Sequence, residues 1–186
     1  MNRILPLLTV VFLLCAPGAR AQSLGQVQYG DRVFSTGLRV QSIPWPDDAK
    51  EEMMSEERLG IALDCIRKTF GPIKEYREYY SECCGMHHFH VVLESEDELD
   101  FENGELCEFT LVSSRFPVAK EWFKGGLRVG RKPSQALNEN ILVKPRKDHP
   151  DWFDFWDDTE RTDVISLYKL DADGTIVEIH VSFNEC

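Results

Sequence analysis

The chain has 186 residues, with 32 Asp and Glu against 21 Lys and Arg, for a formal net charge of -11. That balance excludes nucleic-acid phosphate and anionic lipid surfaces as partners, because both are bound by Lys and Arg that displace counterions. It fits plain solubility or a basic protein partner, on a chain of single-domain length that can bury a real core.

Met1-Asn2-Arg3 is a short basic stretch, Ile4 to Leu14 is almost purely apolar, and Pro17-Gly18 breaks any helix. Ala19-Arg20-Ala21 follows the small-x-small cleavage pattern, so residues 1–21 read as a secretory signal peptide and the mature chain starts at Gln22. The apolar run is roughly half of the about 20 residues that a membrane span needs, and no other segment is long and apolar enough. Leu14 stands where a lipoprotein signal before Cys15 wants a small residue. The expected address is the periplasm or the outside of the cell, and the absence of an Asn-x-Ser/Thr sequon agrees with it. Arg3 and Arg20 leave with the signal, so the mature chain is more acidic still.

Cys65, Cys83, Cys84, Cys107 and Cys186 remain. In an oxidising compartment they are disulfide material, two bridges with one cysteine over. The side chains of adjacent Cys83 and Cys84 diverge, so different partners suit them better than each other. The sequence leaves the pairing open.

Residues 22–33 read as an extended arm. Beyond it a faint repeat divides the chain into halves at 34–115 and 116–186. Gly37-Leu38-Arg39-Val40 returns as Gly126-Leu127-Arg128-Val129, and the stretch from Asn103-Gly104 to Leu111 is echoed by Asp173-Gly174 to Val181. The main helix is expected between Ser55 and Thr69. Leu59, Leu63, Ile66 and Phe70 line one face, Ser55 caps the start and Gly71-Pro72 stops it. Strands are expected at His87 to Leu93 and Val164 to Leu170. Asn103-Gly104 and Asp173-Gly174 read as type I′ hairpin turns, followed by period-2 strands whose Phe109 and Ile179 rows face a core. In the second half, Ser134 would cap a short helix running to Ile141, with Pro145 beyond it. Helices packed on an antiparallel sheet, as two tandem helix-plus-hairpin repeats, make the expected fold α+β.

Gly126-Leu127-Arg128-Val129-Gly130, then Ser134 opening a helix, then strands around Asp173-Gly174, resembles the periplasmic helix-plus-sheet units of the BamE (SmpA/OmlA) and beta-lactamase-inhibitor-protein type. The likeness covers roughly the last sixty residues. It departs at Lys144-Pro145-Arg146, where BamE-type chains carry a Gly-x-Pro turn. It implies a non-catalytic binding or assembly module and carries over no site residue.

Two clusters hold chemistry. In Cys83-Cys84-Gly85-Met86-His87-His88-Phe89-His90, a strand would put Met86, His88 and His90 on one face and His87, Phe89 and Val91 on a buried one. Met86, His88 and His90 could share copper or zinc, whereas the plainer reading is a solvated His pair beside disulfides. A Cys-His nucleophile would need a reduced thiolate, a base and an orienting group. The second cluster, Asp148 to Asp158, interleaves Trp152, Phe153, Phe155 and Trp156 with Asp154 and Asp157, as a protein interface or sugar platform would. Its plainer reading is core aromatics of an inserted loop. Asp171-Ala172-Asp173-Gly174 is a turn and not a calcium loop, because Lys169 and His180 fall at ligand positions. No hydrolase elbow, zincin or phosphate-loop motif is present.

The expectation is a non-catalytic secreted or periplasmic protein-binding module with no cofactor: an inhibitor, an immunity-type partner or an envelope accessory. The alternative is a copper or zinc binder built on His88 and His90.

Overall fold

The computed structural model describes residues 26–29, 32–35, 55–81, 86–102, 105–158 and 164–183. The signal peptide, the first Gly-Leu-Arg-Val, the Asn103-Gly104 turn, Cys83, Cys84 and Cys186 lie outside these residues. Within the expected arm, β1 (Gln26–Tyr29) pairs antiparallel with β2 (Arg32–Ser35), which continues past the boundary at 33.

The helix α1 spans Glu56–Phe70. Leu59 N–H donates to the Ser55 carbonyl and Gly71 N–H to the Arg67 carbonyl, so the ends fall where the sequence put them. Gly71 takes φ 114°, a left-handed conformation that stops the helix without a side-chain penalty. Ala62, Leu63, Ile66 and Phe70 are buried along the expected face.

The remaining elements are β3 (Ile73–Ser81), β4 (Met86–Leu93), β5 (Glu98–Glu102), β6 (Glu105–Leu111), β7 (Ile141–Pro145), β8 (Trp152–Asp157), β9 (Val164–Leu170) and β10 (Ile176–Phe183). They form one antiparallel sheet in the order β3-β4-β5-β6-β10-β9-β8-β7. This overturns the expected fold class. The chain is nearly all sheet with a single helix among the described residues, not two tandem helix-plus-hairpin repeats.

The helix expected after Ser134 does not form. Lys124 N–H donates to the Gln135 carbonyl and Leu137 N–H to the Trp122 carbonyl, which draws that stretch into an extended bridge, Phe123 with Ala136. Ser134 Oγ–H donates to the Gly126 carbonyl at 2.9 Å and caps no helix. Ile141 opens β7, and Pro145 ends that edge strand, where a missing N–H costs nothing. The apolar spacing there was too short to distinguish a helix from a bridge-and-strand path.

One face of the sheet, the inner face, carries the core. Phe89, Phe101, Phe109 and Phe155 are essentially fully buried there, each contributing about 2–3 kcal/mol of burial. Phe70 of α1 meets Phe101 edge-on at 6.1 Å, and the loop residue Phe123 meets Phe155 at 5.6 Å. So α1 covers one end of the inner face and the 113–140 loops cover the other.

Two bulges correct the strict alternation expected after each turn. The β5–β6 register shifts so that Cys107 has no opposite number, and Leu106 and Phe109 both reach the core. The β9–β10 register shifts in the same way at Val177, with Ile176 and Ile179 both buried. A bulge adds one residue and so turns the residues before it to the other face. The Asp173-Gly174 turn also differs from type I′. Only Gly174 has positive φ, and Asp171 Oδ1 accepts from the N–H groups of Asp173 and Thr175.

Asp97 is fully buried in the β4–β5 turn. Its carboxylate accepts from the N–H groups of Val112 and Ser113, at 2.9 and 2.8 Å, and from the hydroxyls of Ser95 and Ser113. It ties the end of β6 to the β4–β5 hairpin. Asp97→Ala leaves the N–H groups of Val112 and Ser113 without their acceptor, and a loss of about 2 kcal/mol is expected. Urea unfolding measures it; a midpoint within error of wild type would show that Asp97 holds nothing.

Candidate functional site

In β4 the alternation is as expected. His87, Phe89 and Val91 are buried on the inner face, while His88 and His90 point to the outer one. The outer histidines are not simply solvated. Their side chains keep 12% and 29% exposure, because each stands in a cross-strand row against a carboxylate of β5.

His90 Nδ1 lies 2.9 and 3.0 Å from the two Asp100 oxygens. An ionised carboxylate only accepts, so this nitrogen carries the proton and donates. His88 Nδ1 is 3.7 Å from Glu102 Oε1, and its ring lies flat on Tyr79, with centroids 4.8 Å apart. The rows continue across the sheet. Asp100 stands opposite Glu108, and Glu108 opposite Ser182, whose hydroxyl donates to it at 2.9 Å. Thr110 Oγ1 and His180 Nδ1 lie 3.1 Å apart in the next row. On the inner side, His87 Nε2 is 3.3 Å from Glu78 Oε1, both side chains buried.

This part of the outer face is electronegative. Burial raises the Asp100 carboxyl above its ordinary 3.8, with His90 opposing and Glu108 adding to the rise. Tyr79 is also raised, by burial first and then by Asp100, Cys107, Glu102 and Glu108. Burial pushes the Cys107 thiol far up, with Glu102 and Asp100 adding. Beside β3, an open depression of about 380 Å³ is lined by Glu75, Tyr76, Arg77, Tyr79, His90 and Asp100.

Cys107 gives no nucleophile here. Cys107, expected as bridge material, is a thiol whose Sγ–H donates to the Asp100 carbonyl at 3.3 Å, and it is not joined to Cys65 of α1. A thiol held protonated is inert. As for a metal, no three His, Cys, Asp or Glu side chains among the described residues are placed to hold one. His88 and His90 face separate carboxylates, and the Met86 side chain lies outside the described residues.

The aromatic cluster is a strand and not an inserted loop, and β8 divides it between the two faces. Phe155 is buried and Phe153 stacks on Tyr168 at 5.3 Å, both on the inner side. Trp152, Asp154 and Trp156 alternate with them and project on the outer face. There Lys169 stands 5.6 Å over the Trp152 ring and Lys144 5.1 Å over the Trp156 ring. Asp154 faces Arg146 at 3.7 Å. Asp157, at the end of β8, is half-buried and stands opposite Ile141.

So the sheet brings the His88/His90 pair and the Trp152/Trp156 pair, distant in sequence, onto one surface. Sequence reasoning missed its other members: Tyr79, Asp100, Glu102, Glu108, His180 and Lys169. A readable signal did exist at Glu98-Leu99-Asp100-Phe101-Glu102, whose strict alternation sets Asp100 opposite to buried Leu99 and Phe101. No family model, curated protein or solved structure matches the chain.

Two measurements test these electrostatics. Iodoacetamide at about pH 8, below the ordinary thiol pKa, should leave Cys107 unmodified in the folded protein and modify it in urea; rapid labelling of the folded form would refute the burial argument. The Asp100 shift has a definite sign. Its folded pKa is raised, so above 3.8 the folded state holds the proton more tightly than the unfolded state. The stabilisation is therefore full below 3.8 and is lost as pH rises through the folded value. Asp100→Asn should flatten that decline in urea midpoints; an unchanged slope would assign it to other groups.

Proposed function

We propose that the protein is a non-catalytic, exported protein-binding module, acting as an inhibitor, an immunity-type partner or an envelope accessory. The outer face of the eight-stranded sheet is its binding surface. The observation that carries this reading is the placement of Trp152, Asp154 and Trp156 on the face opposite the core, with lysines laid over both indoles. The core does not use these two rings; Phe153 and Phe155 of the same strand fill it instead. Large aromatics with charged neighbours on an outer surface are the anchors that protein interfaces concentrate.

The surrounding chemistry supports binding over catalysis. Asp100 orients His90 through Nδ1, but the Cys107 thiol near it is held protonated. The carboxylates of β5 and β6 favour a partner that brings positive charge to that end of the face. Export to the periplasm or beyond rests on residues 1–21, and the acidic balance keeps such a module off nucleic acid and anionic lipid.

The test is capture from envelope extract with the tagged mature chain. Wild type should retain a partner that Trp152→Ala/Trp156→Ala loses, by about thirty-fold or more in affinity if the two rings are hot spots. Leu137→Ala, at an exposed loop residue, should retain it. Equal capture by all three forms, or none by any, would remove the reading.

A further inference from the structure

The two edges of the eight-stranded sheet differ. β7 is five residues long, carries Lys144 and ends in Pro145, and each of these features keeps an edge from pairing. β3 is nine residues long with no proline, and its bulge falls near the start, at Lys74. Among the described residues only β4 pairs with it, so from Glu75 to Ser81 the backbone groups that point away from β4 have no ladder partner. Tyr76 and Tyr79, 45% and 42% exposed, stand on this edge. The open depression of about 380 Å³ borders the same stretch, lined by Tyr76 from the inner side and by Glu75, Arg77 and Tyr79 from the outer side.

We propose that the β3 edge pairs antiparallel with the β3 edge of a second copy, about a two-fold axis at Tyr76. Charge fixes the register. Opposite residues of an antiparallel pair share a face of the sheet. An axis at Tyr76 therefore sets Glu75 against Arg77 of the second copy and Arg77 against its Glu75. Tyr76 meets its own counterpart, and Ile73 comes level with Tyr79. An axis at Glu75, Arg77 or Glu78 would lay that charge on itself, and one at Tyr79 would pair only the end of the strand. Glu75 and Arg77 are free to make these pairs, because neither has an ion pair with another described residue. Lys74, by contrast, is held by Glu96 at 2.8 Å, and Glu78 stands 3.3 Å from His87.

Lys74 and Arg77 balance Glu75 and Glu78, so the strand is neutral within a chain of net charge -11. Two copies can therefore meet along it, although the chain as a whole is acidic. Arg77 of the second copy, drawn to Glu75, enters the depression beside β3. The contact is isologous and closes at two copies, because it uses both β3 edges and leaves only the blunted β7 edges outward. It joins the two sheets into one and leaves Trp152 and Trp156, at the far end of the strand order, free for another partner. The inference thus goes beyond the proposed function and does not depend on it.

Sedimentation velocity and light scattering on the full mature chain test it. An edge contact is small among interfaces, so wild type should dimerise with a dissociation constant of about 10 μM. Glu75→Arg and Arg77→Glu each act twice across the axis, and each should raise that constant about tenfold or more. An equimolar mixture of the two variants should dimerise like wild type, because every reversed charge then meets an opposite one. The exchange Glu75→Arg/Arg77→Glu in one chain should do the same. Urea midpoints near wild type establish that the variants are folded. Amide hydrogen exchange locates the contact: protection from Glu75 to Ser81 should rise with protein concentration, and protection from Ile141 to Pro145 should not. Wild type that stays monomeric to about 100 μM overturns the proposal. Dimers that survive both single reversals overturn it equally, as does a mixture that remains monomeric or a β3 whose exchange ignores concentration. Trp152→Ala/Trp156→Ala should dimerise as wild type does, so loss of the captured partner and loss of the dimer are separate results.

Discussion

The pairing of β6 with β10 is the constraint on which the molecule depends. It spans Glu108 to Leu111 and Ile179 to Ser182, segments about seventy residues apart in the chain. Every other strand pair of the large sheet joins neighbours in sequence. Without this seam, β3–β6 and β7–β10 would be two separate meanders, each with a bare edge. With it they form one sheet, and Phe109, Leu111, Ile179 and Val181 bring one core together on its inner side. The entropic cost of closing so long a loop is recovered only through that shared burial.

The seam also explains why both strands carry a bulge. Each enters it from a hairpin turn, and each must present apolar residues on the inner face at both ends. The bulges at Cys107 and Val177 turn Leu106 and Ile176 inward after the turn while Phe109 and Ile179 keep their places. At Cys107 this has a chemical consequence, because the thiol sits against the Asp100 carbonyl beside Glu102 and is held protonated. At the far end of β6, buried Asp97 fixes the strand to the preceding hairpin by accepting two backbone bonds. Packing on the inner face thus sets the geometry of the outer one.

On the outer face the same alternation assembles side chains whose roles are not local. His90 is held by Asp100 because β4 and β5 are neighbours in this register. A shift of one residue would send Asp100 into the core and Leu99 outward. The charge distribution follows from strand order as well: the outward carboxylates of β5 and β6 come from the first part of the chain, and Lys144, Arg146 and Lys169, with Asp151, Asp154 and Glu178 against them, come from the second. The seam sets the two groups side by side on one surface.

The sequence alone determined what depends on neighbours within a few residues. The helix from Glu56 to Phe70, its stop at Gly71, the strands β4 and β9, and the burial of His87 opposite His88 and His90 all follow from period and punctuation, which short-range sterics decide. Local signals failed where two local structures compete closely. Ser134 to Ile141 has apolar residues that suit a helix, but bonds from Trp122 and Lys124 draw the stretch into an extended bridge. Only the tertiary structure decided that Trp152 and Trp156 share a face with His90, that Phe153 and Phe155 do not, and that Asp100, Glu108 and Ser182 form one row. Those relations depend on register and strand order, which are set by the burial of a core assembled from both ends of the chain. No window of sequence contains that core.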